Sequence, residues 1–357
     1  MEESSSALGS SGKVIPMRIT RTAQSVVNVK LQADRDKALG QDLNSLTNFF
    51  DYFKDETVCF KFLELLRWSN GPVCPFCGYT EKIYRTAKGY KCANKACGKK
   101  FTVLHDSVFE HSKLPLRYWF VALYLCVNDT YGINSSQLAR YLNITQKSAW
   151  FMMHRIREAL IENNAPLFGI VEADETYVGG RSKNKHAKKK KKNTQGRSLV
   201  DKVPVLGMVE REGRLVAVTV NNAQQETLKK SITRVVEQGA MLITDELKSY
   251  HFARENYYHV TMKHRKEQYV NDEFHTNTIE GFWGLLKRGL SGTFHQVSKH
   301  YLQRYLNEFV FRYNHRKKDA TQRFLLALHY ACFKRLSYLQ LRLKGCLLYT
   351  SDAADDL

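Results

Sequence analysis

The sequence lacks any apolar run long enough to cross a membrane. A spanning helix needs about 20 consecutive apolar residues, whereas the longest apolar segment, YWFVALYLCV at 118–127, has the length of a buried helix. The first 41 residues also lack the apolar core of a signal peptide and show no strong periodicity. These absences predict a soluble protein with no membrane partner and a disordered N-terminal arm.

Acidic residues are scarce relative to basic ones. The 357 residues include 35 Asp and Glu against 55 Lys and Arg, which gives a net charge of +20 and a pI near 9.5. Such an excess favours a polyanionic partner, most simply a nucleic acid, although charge alone does not name the polymer. With 43% hydrophobic residues the chain can still bury the cores of two or three domains.

Cysteine is too sparse for a disulfide scaffold, and four of the eight cysteines fall into two close pairs. CPFC and CANKAC give C-x2-C and C-x4-C spacings, with a 14-residue spacer that alternates like a short hairpin. Four thiolates at such spacings suit closed, tetrahedral structural zinc. The pattern therefore predicts a zinc ribbon, although free cysteines in two loops remain the alternative. The predicted ligands are Cys74, Cys77, Cys92 and Cys97.

The segment 134–160 has the apolar spacing of two helices joined by a turn near Asn143, with Thr145 as a cap for the second helix. This is helix-turn-helix spacing, in which the second helix enters the major groove of DNA. A structural helical linker is the alternative. If the segment binds DNA, the basic side chains predicted to decorate the second helix are Lys147, His154, Arg155 and Arg157.

From about residue 166 the pattern changes to strands, in the order strand, strand, strand, helix, strand, helix, strand, helix. This order is typical of an α/β fold with a mixed sheet. Asp174 lies in the first strand and Asp245 ends the fourth, while Glu280 lies on the last helix. The three acids can converge only if the first and fourth strands are neighbours.

Glu280 is an isolated acid on a basic, apolar helix. Lys287 lies two turns further on, roughly 10 Å along the axis, which is too far for a direct contact but suits one extended substrate. Three converging carboxylates would repel one another unless a cation were bound, so the pattern favours Mg²⁺ or Mn²⁺. Two such ions about 4 Å apart can promote a phosphodiester displacement, with Lys287 and Arg288 on the DNA phosphates.

Four segments together resemble one family: EADETYVGG, LITDELKSY, HTNTIEGFWGLLKRGLSGTFH and YLNEFVFRYNHR. In order and spacing they resemble the DDE transposases of bacterial insertion sequences that carry an N-terminal zinc ribbon. The separation 280 − 245 = 35, and the Lys seven residues after the Glu, are similar to the family's D-D-35-E-x6-K layout, which retroviral integrases share. The resemblance implies an RNase H-like core in which Asp174, Asp245 and Glu280 are the catalytic, metal-binding acids and Lys287 positions DNA.

The resemblance further implies a magnesium-dependent enzyme that nicks DNA and then joins strands through a 3′ hydroxyl, with no covalent enzyme intermediate. Its partners would be double-stranded DNA, both transposon terminal repeats and target, and a second copy of the chain on DNA. The location would be cytoplasmic and nucleoid-associated in a bacterium, or nuclear in a eukaryotic host. Two other functions stay open: a transposase-derived DNA-binding protein with an inactive site, and a nuclease that cuts without joining.

The predicted organisation has seven parts. They are a disordered arm (1–41), an N-terminal helical segment (42–72), the zinc ribbon (73–104), a helical DNA-binding region (105–165), the RNase H-like catalytic domain (166–328) with a basic insert (181–202), a C-terminal helix (329–345) and an adaptor-derived tail (346–357).

Overall fold

The computed structural model describes residues 42–68, 71–162, 165–179, 199, 202–262, 275–337 and 339–340. The predicted N-terminal arm, the predicted tail and all of the basic insert except Leu199 and Lys202 lie outside the described residues. Among the helices that the described residues form, none combines the length and apolar character needed to cross a bilayer.

The N-terminal part consists of two helices and a small antiparallel sheet. The elements are α1 (Leu46–Tyr52), α2 (Glu56–Arg67), β1 (Ile83–Thr86), β2 (Gly89–Cys92) and β3 (Lys100–Phe101). The strands lie in the order β1-β2-β3, so the predicted hairpin between the cysteine pairs and the strand after them are both confirmed. This ribbon has a separate small core of Cys74, Tyr90, Cys92 and Phe101.

A helical bundle follows the ribbon, formed by α3 (Leu116–Asn128), α4 (Ser135–Leu142) and α5 (Gln146–Ala159). The predicted turn between the last two helices is confirmed, because Asn143 has the left-handed φ of 50° that ends α4. The predicted cap is confirmed too, since the Thr145 side chain accepts a hydrogen bond from the Ser148 backbone N–H.

The C-terminal helix, α10 (Ala320–Cys332), packs into this same bundle core. The predicted start of this helix at 329 is wrong. Asp319 and Gln322 form a capping box that begins the helix nine residues earlier, at Ala320. The chain therefore returns from the sheet to the bundle. Residues that precede the sheet domain in the sequence share one core with residues near the C-terminal end of the described chain.

The sheet domain contains five strands and the remaining helices. They are β4 (Ile170–Gly179), β5 (Lys202–Glu210), β6 (Leu215–Thr219), α6 (Gln225–Val235), β7 (Met241–Thr244), α7 (Ala253–Asn256), β8 (Tyr258–Thr261), α8 (Asn277–Gly292) and α9 (Leu302–Asn314). The strand order is β6-β5-β4-β7-β8. The first three strands in sequence pair antiparallel, and the two later ones are added parallel beside β4. This is the predicted RNase H-like mixed sheet, and the predicted adjacency of the first and fourth strands is confirmed.

Helices cover both faces of this sheet, because alternate residues of a strand point to opposite sides. Val171 and Ala173 of β4 face a core that includes Leu228 and Ile232 of α6. Val205 and Val209 of β5 contribute to a second core, with the apolar stripe of α8 and with α9. The stripe of α8 consists of Ile279, Phe282, Trp283, Leu286 and Leu290, as the sequence predicts. The packing holds α8 against the centre of the sheet.

Candidate active site

Asp174 lies in the middle of the central strand β4, and Asp245 directly follows the neighbouring strand β7. In the parallel pair β4 and β7, Glu172 is in register with Ile243, and each Asp lies two residues further along (172 + 2 = 174; 243 + 2 = 245). Oxygen atoms of Asp174, Asp245 and Glu175 all lie within 4.8 Å of one another. The pairing of the two strands therefore brings together acids that are 71 residues apart in the sequence.

The electrostatic environment of Asp174 disfavours its negative charge. The pKa of Asp174 is raised, first because the carboxyl is largely removed from water and then because Asp245 and Glu280 add negative charge nearby. A hydrogen bond from the Trp283 indole acts in the opposite direction on this pKa. The net shift of this pKa is upward, so the folded protein disfavours the ionised form of the Asp174 carboxyl.

Glu280 lies in the first turn of α8 and is exposed. Its Oε1 atom accepts a hydrogen bond from Thr276 Oγ1 at 3.0 Å. Glu280 is close enough to raise the pKa of Asp174 but is not among the carboxylates whose oxygens lie within 4.8 Å of one another. The structure thus brings two of the predicted acids into direct proximity and the third into electrostatic range.

The sequence analysis missed Glu175, which is buried and accepts a hydrogen bond from the Tyr250 hydroxyl at 2.8 Å. The only sequence signal was its position directly after Asp174.

Glu172 was also missed. It is completely buried, and its carboxylate accepts hydrogen bonds from the backbone N–H groups of Thr278 and Ile279 at 3.0 and 3.1 Å. Thr278 Oγ1 donates a third bond to it at 2.8 Å. Thr276, the residue before α8, provides no side-chain cap. The central strand therefore supplies the cap for the helix that carries Glu280.

This donor set suits a hard divalent cation. Mg²⁺ and Mn²⁺ prefer carboxylate oxygens as ligands, and three such groups lie together here. Burial is the main cause of the raised pKa of Asp174, and a bound cation would relieve the further rise caused by Asp245 and Glu280. The residues present therefore fit the metal that the sequence predicted.

The four predicted zinc ligands also come together. The Sγ atoms of Cys74, Cys77, Cys92 and Cys97 lie within 4.8 Å of one another. The Cys74–Cys97 and Cys77–Cys92 sulfur pairs are both 3.7 Å apart. A tetrahedral zinc with Zn–S bonds of about 2.3 Å requires sulfur separations of about 3.8 Å. The cluster fits one structural zinc ion.

Comparisons with known proteins agree with this geometry. Residues 166–314 match the family model of the ISXO2-like transposase domain, and residues 54–100 match that of the transposase zinc-ribbon domain. A protein of the transposable element ISH50 from Halobacterium salinarum is 30% identical over 278 residues, which span 73% of this chain and 91% of that protein. The chain belongs to the ISXO2-like transposase family. The predicted resemblance to zinc-ribbon DDE transposases is confirmed.

Solved structures similar to this ISXO2-like transposase include two Mos1 complexes. The Mos1 strand transfer complex is 15% identical over 62% of this chain and 77% of that chain, with a TM-score of 0.25. The pre-cleavage Mos1 transpososome is 13% identical over 66% and 81% of the two chains, with a TM-score of 0.27. The RNase H-like assignment of this transposase follows from its strand order.

The predicted DNA contacts of the transposase divide into two groups. Lys147, Lys287 and Arg288 are exposed, and their contact with DNA stays a prediction. Arg155 and Arg157 are buried, with only 5% and 2% of their surfaces exposed. Their prediction as DNA-contacting residues is wrong, because neither guanidinium lies where DNA could reach it. His154 is buried as well.

Both arginines have partners inside the protein. Arg157 Nε lies 2.6 Å from Glu308 Oε2 on α9, and Arg312 binds the other oxygen of Glu308. Arg155 donates to the backbone carbonyl of Glu110 at 3.1 Å. A second ion pair, 3.0 Å between Arg304 and Glu158, lies on the same interface. The two ion pairs fix the C-terminal half of α5 against α9. The exposed residues of α5 are at its start, where Lys147 lies.

Proposed function

We propose that this transposase cleaves DNA at transposon ends and joins the cut strand to target DNA, using Mg²⁺ or Mn²⁺ held by Asp174, Asp245 and Glu280. The observation that carries the proposal is the register match of Asp174 and Asp245 on adjacent parallel strands. Glu280 lies on a helix that Glu172 fixes to the same strand. The proposed site therefore combines an acid within β4, an acid directly after β7 and an acid in the first turn of α8.

The protein's part in this reaction is to hold charge in fixed positions. When bound, the divalent cations would activate the attacking oxygen and stabilise the leaving 3′ oxygen. Asp174 lies within β4 and Asp245 directly follows β7. The paired strands hold both side chains, so they need little reorganisation to bind a cation. No side chain has to form a covalent bond to DNA.

Substrate binding is assigned to basic residues around these acids. Lys287 and Arg288 are exposed on α8, about two turns beyond Glu280, and would hold phosphates of the strand being cut. Lys147 on the exposed start of α5 and the zinc ribbon would contact the transposon end. Pairing of two ends requires at least two copies of the chain, so we propose a homo-oligomer on double-stranded DNA.

A strand-transfer assay tests the proposal. Oligonucleotides from the DNA that flanks the gene would be incubated with a supercoiled target and Mn²⁺ or Mg²⁺. D174N, D245N and E280Q should each leave less than about 1% of wild-type joining, because even residues that only orient metal ligands typically contribute 10- to 100-fold. E226Q, which removes an exposed acid from α6, is the matched control and should join normally.

Each alternative function has its own result in this assay. Binding without cutting by the wild type would indicate a DNA-binding relative with an inactive site. Cutting that depends on the three acids, but yields no joined product, would indicate a nuclease. Normal cutting by any one of the three variants would remove that acid from the proposed site.

A further inference from the structure

Trp283 contacts a predicted metal ligand directly. Its indole Nε1–H donates a hydrogen bond to Asp174 Oδ2 at 2.9 Å. The side chain is only 4% exposed and lies on α8, three residues after Glu280. One helical turn therefore carries both an acid of the proposed site and a donor to another acid of that site.

The sheet leaves space for this indole at one position. Gly207 of β5 is in register with Asp174 of β4. A Cβ atom at position 207 would lie 2.6 Å from two carbons of the Trp283 ring and 2.7 Å from Ile279 Cδ1. Contacts this short cannot exist without displacing the ring. The missing side chain at 207 therefore leaves room for the indole in the position from which it reaches Asp174.

The chemistry of indole suits an orienting role. Its N–H is a donor only, so it cannot compete with a carboxylate for a cation, and it does not titrate. Its rigid, apolar body packs directly over Gly207 of β5. A carboxylate that accepts a bond from such a fixed donor has one preferred orientation, as ligands with outer-shell partners generally do.

We propose that Trp283 is a positioning residue that orients Asp174 for metal binding and links this orientation to the placement of Glu280 on α8. The proposal rests on the proposed function, because it assumes that Asp174 binds the divalent cation. Trp283 itself touches neither metal nor DNA in this scheme. Removal of its N–H should weaken metal binding even when no DNA is present.

The test uses the full chain, with Mn²⁺ binding measured by calorimetry without DNA and strand transfer measured separately. W283F removes the donor and retains an aromatic ring. We expect its Mn²⁺ dissociation constant to rise about 10- to 100-fold, with a lower joining rate that higher Mn²⁺ partly restores. W150F is the matched control, because Trp150 packs on His154 and Tyr301 in the helical region. Its Mn²⁺ affinity should equal that of the wild type.

A second variant separates the N–H from the shape of the ring. Benzothienylalanine at position 283 replaces the N–H by sulfur and keeps the size of indole, so it should bind Mn²⁺ as weakly as W283F does. G207A should cause a similar loss by displacing the ring. Wild-type Mn²⁺ affinity in the sulfur-containing protein would overturn the proposal.

D174N distinguishes failure of this proposal from failure of the proposed function. If D174N loses Mn²⁺ binding but the sulfur-containing protein does not, only the role of Trp283 is wrong. If D174N binds Mn²⁺ as tightly as the wild type, Asp174 is not a metal ligand and both proposals fail.

Discussion

A single residue, His154, gives the folded state a specific response to pH. Its ring lies 4.2 Å from Trp150 and 4.8 Å from Tyr301, measured between ring centroids. Within the described part of the chain neither ring nitrogen has a hydrogen-bond partner. Burial, followed by the charges of Arg157 and Arg304, lowers the pKa of His154 to about 2. The folded protein therefore holds this imidazole neutral.

The stability of the wild type should fall as the pH drops below the usual histidine pKa. Below about 6.5 the unfolded chain binds a proton at His154 and the folded chain does not, which costs up to about 1.4 kcal/mol per pH unit. H154F should remove this contribution and keep the ring contacts. Urea unfolding at pH 7.5 and pH 5.0 measures the difference, with the exposed His251→Gln as control. An equal loss in H154F and wild type would mean that His154 is protonated in the folded protein.

At the scale of elements, the contact between β4 and α8 depends on one buried carboxylate. Glu172 accepts three hydrogen bonds from the start of α8. E172Q keeps the shape but loses the charge that these donors and the helix dipole favour. We expect the free energy of unfolding to fall by about 1–3 kcal/mol and joining activity to fall as Glu280 moves. Urea unfolding and the strand-transfer assay measure the two effects.

The matched control for this element is E226Q. Glu226 lies in the first turn of α6 but is exposed, so its loss should cost less than about 1 kcal/mol. Equal stability losses in the two variants would show that burial of Glu172 contributes nothing beyond a helix-end charge.

The sequence predicted most elements, because periodicity and caps are local properties. The alternation of apolar and polar residues predicted the strands, and Thr145 predicted the start of a helix. The spacing of apolar residues predicted the apolar stripe of α8. The contacts of Glu172 and Trp283 could not be predicted, because they depend on which face of β4 the helix covers. The prediction that Arg155 and Arg157 contact DNA was wrong for a related reason. A basic residue on a helix is normally exposed, and the partner that buries Arg157, Glu308, is 151 residues away in the sequence.

At the scale of the whole molecule, the zinc ribbon should be a separate unit of stability. Its core contains four buried residues, two of them predicted zinc ligands, which is too little apolar surface for a metal-free fold. Removal of zinc with a chelator, or the change C74S, should unfold the ribbon and leave the rest intact. Hydrogen exchange should show protection lost around Tyr90 and retained in β4.

The matched control for zinc removal is C126S, because Cys126 is a buried cysteine of the helical bundle. Its zinc content should remain one ion per chain, whereas C74S should contain none. A C74S protein with full zinc content would contradict the four-cysteine site. Unfolding of β4 together with the ribbon would contradict the prediction that the ribbon is a separate unit of stability.

The register between β4 and β7 has a consequence for how such a gene can change over generations. The position of Asp174 beside Asp245 depends on strand pairing and not on the length of the chain between them. Insertions between the two strands can therefore accumulate without moving either acid. Deletion of one codon within Ile170–Ala173 would instead turn the following side chains to the opposite face. Inherited length variation is thus expected in the connecting segments and absent from the strand itself.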